Sequence, residues 1–106
     1  MAAEEKRSLA TTTVVVADPR QVSVEMGEET LILHLETGGY YSLRNVAARI
    51  WELLKAPSSV SEISVTLARQ YGIPRERCET DLLELLSDLV ERGLVRVVHD
   101  GRDVDP

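Results

Sequence analysis

The histidine and cysteine side chains of this chain are His34, His99 and Cys78, and no more. No two of them stand at the short spacings by which metal sites gather their ligands. Cys78 falls in a helical stretch with no histidine near it in sequence to activate the thiol, so it reads as a small apolar helix residue. His34 reads as a residue on the polar face of a strand. Carboxylates are plentiful, but they scatter along helix faces at positions that suit solvated charge. There is no glycine-rich phosphate loop with a lysine and no nucleophile elbow. The expected chemistry is therefore binding without metal or cofactor, and not catalysis.

The bulk numbers narrow the partner. The chain has 106 residues, enough for one domain, with three Tyr, one Trp and no Phe, so its core must be aliphatic. A net charge of −6 opposes general affinity for nucleic acid or anionic lipid. A single cysteine permits no intrachain disulfide and suits a reducing compartment. The segment from Met1 to Arg7 lacks the apolar run of a secretory signal, and no apolar run approaches the roughly 18–20 residues that span a bilayer. These features predict a cytoplasmic protein.

The elements follow from periodicity. Residues 1–10 are charged and small and read as a disordered tail. Thr11 to Val16 is β-branched and suits an extended segment. Val22 to Met26 alternates apolar and polar, Gly27-Glu28-Glu29 is a turn, and Leu31, Leu33 and Leu35 share one strand face while Ile32, His34 and Glu36 share the other. Gly38-Gly39 predicts a tight hairpin into a third strand, Tyr40 to Leu43. Asn45 is placed to cap a helix carrying Val46, Ile50, Trp51, Leu53 and Leu54. Ser59 and Glu62 have the spacing of a capping box for a second helix, which ends at Gly72. Pro74 opens a third helix over about 75–92, striped by Leu82, Leu85, Leu86, Leu89 and Val90. Gly93 stops it, residues 94–98 form a last extended segment, and 99–106 read as a frayed tail. The fold class is α+β, with a three-stranded antiparallel sheet, three helices and a short last strand over 11–98. Two helices joined by a short turn and followed by a β segment look like a winged helix-turn-helix.

Residues 22–98 resemble the PqqD-like family, also called RiPP recognition elements. The resemblance is carried by Glu29 to Leu33, by Thr37-Gly38-Gly39-Tyr40-Tyr41-Ser42-Leu43, and by Ala48 to Leu54. It continues through Val60 to Ile63, Leu67-Ala68, Tyr71, Asp81-Leu82 and Glu91 to Val95. The chain departs from the family's pattern at Arg44, where Asn is frequent, and at Val46-Ala47, where a Thr-Gly pair is frequent. The resemblance implies a protein that binds the leader segment of a ribosomally made precursor peptide and delivers it to separate enzymes, a leader peptidase and a modifying enzyme or cyclase. Free-standing members serve pyrroloquinoline quinone, lasso-peptide and related pathways, and a lasso-type system is the expected one.

The family's binding mode adds the leader antiparallel to the third strand, against the third helix. It assigns backbone pairing to Tyr40, Tyr41, Ser42 and Leu43. Helix spacing puts Cys78, Asp81, Leu82 and Leu85 on one stripe, the candidate to face that groove. Leu82 and Leu85 serve there as apolar anchors, or else as ordinary core. Asp81 accepts a hydrogen bond or pairs with a basic leader residue. One of Tyr40 and Tyr41 faces the core, and alternation alone leaves open which. The alternative function is a DNA-binding regulator reading the groove with the third helix. There Arg75, Arg77 and Arg92 stand against Glu76, Glu79, Asp81, Glu84, Asp88 and Glu91, a net charge of −3 that phosphates would repel.

Overall fold

The computed structural model describes residues 9–99; the predicted tail residues 1–8 and 100–106 lie outside the described part. Its elements are β1 (Val14–Ala17), β2 (Gln21–Met26), β3 (Glu29–His34), β4 (Tyr40–Arg44), α1 (Val46–Leu53), β5 (Ser58–Ser59), α2 (Val60–Tyr71), α3 (Arg75–Glu91) and β6 (Val95–His99). The strands make two antiparallel sheets of three, ordered β2-β3-β4 and β5-β1-β6. The first is the expected meander. The second joins the two far ends of the described chain, pairing Val15 with Val97 and Ala17 with Val95. Sequence patterning shows β1 and β6 as extended but carries no sign that they are partners.

Local chemistry explains the helix boundaries. The Ser59 hydroxyl accepts from the Glu62 N–H at 3.0 Å, and the Glu62 carboxylate accepts from the Ser59 N–H at 2.9 Å, so the capping box opens α2. Gly72 closes it in the left-handed conformation at φ 66°, which a side chain would strain. The first helix departs from expectation. Asn45 makes no side-chain cap and itself sits at φ 56°. Its backbone does the work instead, donating to the Glu28 carbonyl at 3.0 Å and accepting from the Arg49 N–H at 3.1 Å. That positive-φ turn, with ψ −121°, swings the chain directly from β4 into α1.

Two further expectations change. The β3–β4 connection is not a two-residue turn on Gly38-Gly39. β3 ends at His34, and residues 35–39 form the loop. The cause is His34, whose Nδ1 accepts from the N–H groups of Glu36 and Thr37 at 3.2 and 3.3 Å and draws the loop around the ring. His34 is also not on a polar face: with Thr30 and Ile32 it is buried, while Leu33 and Leu35 point outward. The inward face is chosen by what it meets. Ile32 and Leu43 close against a core of Ile50, Trp51, Leu54, Ile63, Leu86 and Leu89. Leu9 packs on that core as well, so the described part of the predicted tail contributes to it.

Candidate functional site

β4 is bonded to β3 on one side, and no described strand covers the other. The register pairs Thr30 with Leu43, Ile32 with Tyr41 and Leu33 with Tyr40. Two hydrogen bonds fix the phase: His34 N–H to Gly39 C=O at 2.8 Å, and Asn45 N–H to Glu28 C=O at 3.0 Å. Antiparallel ladders alternate, so Tyr41 and Leu43 spend their backbone groups on β3. Tyr40, Ser42 and Arg44 point theirs to the open side. Of the four strand residues expected to pair with a peptide, only Tyr40 and Ser42 therefore present backbone N–H and C=O outward. Arg44, one residue further, joins them and was not anticipated, because hydrogen-bond phase is invisible before the register is known.

Side chains place α3 beside this edge. Tyr41 faces inward, and its hydroxyl donates to Asp88 Oδ2 at 2.5 Å. The Arg92 guanidinium lies 4.8 Å from the Tyr41 ring centroid, and its Nε donates to both Asp88 carboxylate oxygens at 3.2 Å. Tyr41, Asp88 and Arg92 thus tie β4 to the end of α3. Tyr40, by contrast, is 74% exposed. At this end of the edge a cleft of about 300 Å³ is lined by His34, Thr37, Gly39, Tyr40, Tyr41, Arg92 and Leu94.

The four helix residues expected at the site separate by depth. Cys78 is 7% and Leu82 1% exposed, and both belong to the core. They can support a groove from beneath and do not line it. Leu85 is half-buried at the margin of the core, and Asp81 is exposed. Asp81, Leu85, Asp88 and Arg92 follow one another at helical spacing, so the same stripe continued by one more turn leads to the two residues the sequence reading missed. A second cleft, about 340 Å³, sets Arg49 beside Glu25, Glu28 and Glu52 between the β2–β3 turn and α1. Among the described residues no three His, Cys, Asp or Glu side chains gather as a metal site, and no helix is long and apolar enough to cross a membrane.

The Tyr41 contact has a measurable signature. Its hydrogen bond to Asp88, then its burial and the Asp88 charge, push the phenol above its ordinary value of 10.0. A raised folded value means that the neutral phenol contributes stability below the unfolded pKa. That contribution is lost as pH rises through the folded one. In an absorbance titration the wild type is expected to show a late-forming phenolate that disappears in Tyr41→Phe. Persistence of the late phase in that variant would assign it elsewhere.

Comparison with known proteins finds relatives in sequence and in fold. Residues 29–95 match the model of the family described as coenzyme PQQ synthesis protein D (PqqD). The PqqA binding protein of Bradyrhizobium diazoefficiens is 34% identical over 50 residues, which are 47% of this chain and 48% of that protein. The alignment thus spans about half the length of that curated relative. TbiB1, solved in complex with the TbiA(beta) leader peptide, has 30% identity and a TM-score of 0.71, covering 85% of this chain and 99% of that one. A lasso peptide synthetase B1 complexed with its leader peptide shares the fold at 23% identity and a TM-score of 0.68, covering 76% of this chain and 95% of that one. From the matched strands of the meander through α3 to the start of β6, the chain belongs to the PqqD family.

Proposed function

We propose that this protein captures the leader segment of a ribosomally synthesised precursor peptide as an extra strand on β4. It then holds the attached core for separate enzymes, a leader peptidase and a modifying enzyme. The observation that carries the reading is the free row of backbone groups at Tyr40, Ser42 and Arg44, with α3 tied alongside through Tyr41 and Asp88. Main-chain pairing supplies affinity, and side chains of α3 select the sequence. Leu85 offers an apolar contact. Asp81 and the acidic face of α3 favour a leader with a basic residue on that side. The protein acts by binding, not by catalysis: tethering the core raises its effective concentration at the enzyme. A disordered leader must be ordered on binding, so affinity in the micromolar to sub-micromolar range is expected.

A lasso-type pathway in the cytoplasm is the setting this reading favours, supported by the fold shared with a lasso peptide synthetase B1. The α2–α3 pair followed by β6 is read as a winged helix-turn-helix arrangement turned to peptide use. DNA binding fits poorly, because α3 would carry its carboxylates toward phosphates.

Fluorescence anisotropy of labelled leader peptides, titrated with the protein at physiological salt, tests the reading. Saturable binding to one leader and not to its scrambled version is the expected result. Binding to duplex DNA with silence toward leaders would reverse it. Within that assay Leu85→Glu is expected to weaken leader binding roughly ten- to hundredfold, by replacing an apolar contact with a charge at the half-buried margin. An unchanged dissociation constant with intact circular dichroism would remove Leu85 from the site.

A further inference from the structure

The meander has a second open edge, β2, and its details are those of a strand built to meet its own copy. We propose that two copies of this chain pair edge to edge through β2, forming one continuous six-stranded antiparallel sheet. The hydrogen-bond phase is fixed as for β4. Leu35 N–H donates to Arg20 C=O at 2.9 Å, and the register pairs Val22 with Leu33 and Val24 with Leu31. Val22, Val24 and Met26 therefore bond to β3, while Gln21, Ser23 and Glu25 aim their backbone groups away from the sheet. No described strand lies there. Most of the usual guards of an exposed edge are missing: β2 contains no proline and no lysine, its ladder runs without a bulge, and its one charge, Glu25, lies 3.7 Å from the Lys55 ammonium of the same chain.

A two-fold axis through Ser23 uses every outward group. Ser23 faces its own counterpart, and Gln21 faces Glu25 of the second copy. Each facing pair can exchange two backbone hydrogen bonds. Glu25 meets a neutral amide and not another carboxylate, which matters for a chain of net charge −6. An axis through Val24 would instead set Gln21 against the Gly27 turn, outside the strand. On the outer face the same register brings Val22 opposite Val24 of the second copy. These residues are 47% and 57% exposed in the single chain, and Met26 is 55% exposed. Pairs of β-branched side chains stabilise such a seam, and the result is an isologous dimer. The two β4 edges lie at opposite ends of the joined sheet, so both stay open. The dimer neither requires nor competes with the peptide reading.

Sedimentation velocity of the full chain across the micromolar range tests the proposal, with three variants. The wild type is expected to be a dimer at the upper concentrations. Ser23→Pro deletes an outward N–H while sparing the β2–β3 ladder, and is expected to be monomeric with unchanged circular dichroism. Ser42→Pro alters the other edge and is expected to remain dimeric. Ser23→Cys is expected to yield a disulfide-linked dimer on mild oxidation, because facing residues at that position lie about 5.5 Å apart between Cα atoms, whereas Cys78 is buried. A wild type that stays monomeric at hundreds of micromolar overturns the proposal. So does a dimer that survives Ser23→Pro, or one lost only in Ser42→Pro. Should Ser23→Pro fail to fold, absence of the cross-link in Ser23→Cys overturns it alone.

Discussion

Ser42→Pro is expected to weaken leader binding at least roughly thirtyfold while leaving the protein folded. The expectation rests on which way one N–H points. Ser42 sits opposite Leu31 in the ladder, at a position whose backbone groups face the open side of β4. Removing that N–H therefore deletes nothing from the β3–β4 pairing, and proline is tolerated on such an edge. The restriction that proline places on the residue before it is harmless, since Tyr41 is already extended. The side-chain hydroxyl of Ser42 donates to the Glu29 carboxylate, and its loss at an exposed position is minor. For an incoming strand the change is severe. One main-chain bond is lost, the peptide carbonyl that would have accepted it is left unpaired, and the ring stands in its path. Together these amount to about 2 kcal/mol or more, at least roughly thirtyfold in affinity. Ser42→Ala keeps the N–H and is expected to bind nearly as the wild type does. Anisotropy titrations of the two variants decide the matter. A folded Ser42→Pro protein with wild-type affinity would falsify strand addition at β4.

The second large effect is on stability. Trp51 is 1% exposed, and it is the α1 side chain that enters the core cluster together with Ile50. Trp51→Ala should destabilise the fold by about 3–5 kcal/mol, from lost burial together with the cavity left behind. For a domain whose whole stability is of order 5–15 kcal/mol, that lowers the melting temperature by more than about 10 °C. Trp51→Phe is the informative control. The indole N–H has no hydrogen-bond partner among the described residues, so phenylalanine removes an unsatisfied buried donor along with part of the ring. A much smaller loss is expected for it. Thermal melts followed by far-ultraviolet circular dichroism compare the variants, since the chain has a single Trp. Equal losses for Phe and Ala would mean that the N–H is satisfied after all. Saturating leader should restore part of the lost melting temperature by mass action.

What could be read from the sequence was local. The capping box at Ser59 and Glu62, the glycine stop at Gly72 and the leucine stripe of α3 each depend on residues a few positions apart, and all three stand in the structure. Harder to read was anything set by partners distant in sequence. β1 and β6 look like two unrelated extended stretches until they are paired. Alternation separates Leu31, Leu33 and Leu35 from Ile32 and His34, but it does not say which set meets Trp51 and Leu86. The hydrophobicity of the leucines points the wrong way, and His34 is buried in their stead. At the site the strand itself was legible. The depth of Cys78 and Leu82 was not, because a helix stripe a hundred degrees wide spans both core and margin. Asp88 and Arg92 emerge only when Tyr41 is known to face inward.

The pairing of β1 with β6 bears on how the chain acquires its shape. The meander closes through short loops and can form while later residues are still being made. β1 is the middle strand of its sheet, and its main neighbour is more than seventy residues downstream, with Val15 opposite Val97. Closing so large a loop is slow. During synthesis the first strand can meet only the short β5 at Ser58–Ser59, and its β6 side must stay open until the last strand leaves the ribosome. A permuted chain that places Val14–Ala17 directly after Val95–His99 through a short linker would turn that distant pairing into a local hairpin. It should fold faster than the natural order, with its unfolding rate nearly unchanged.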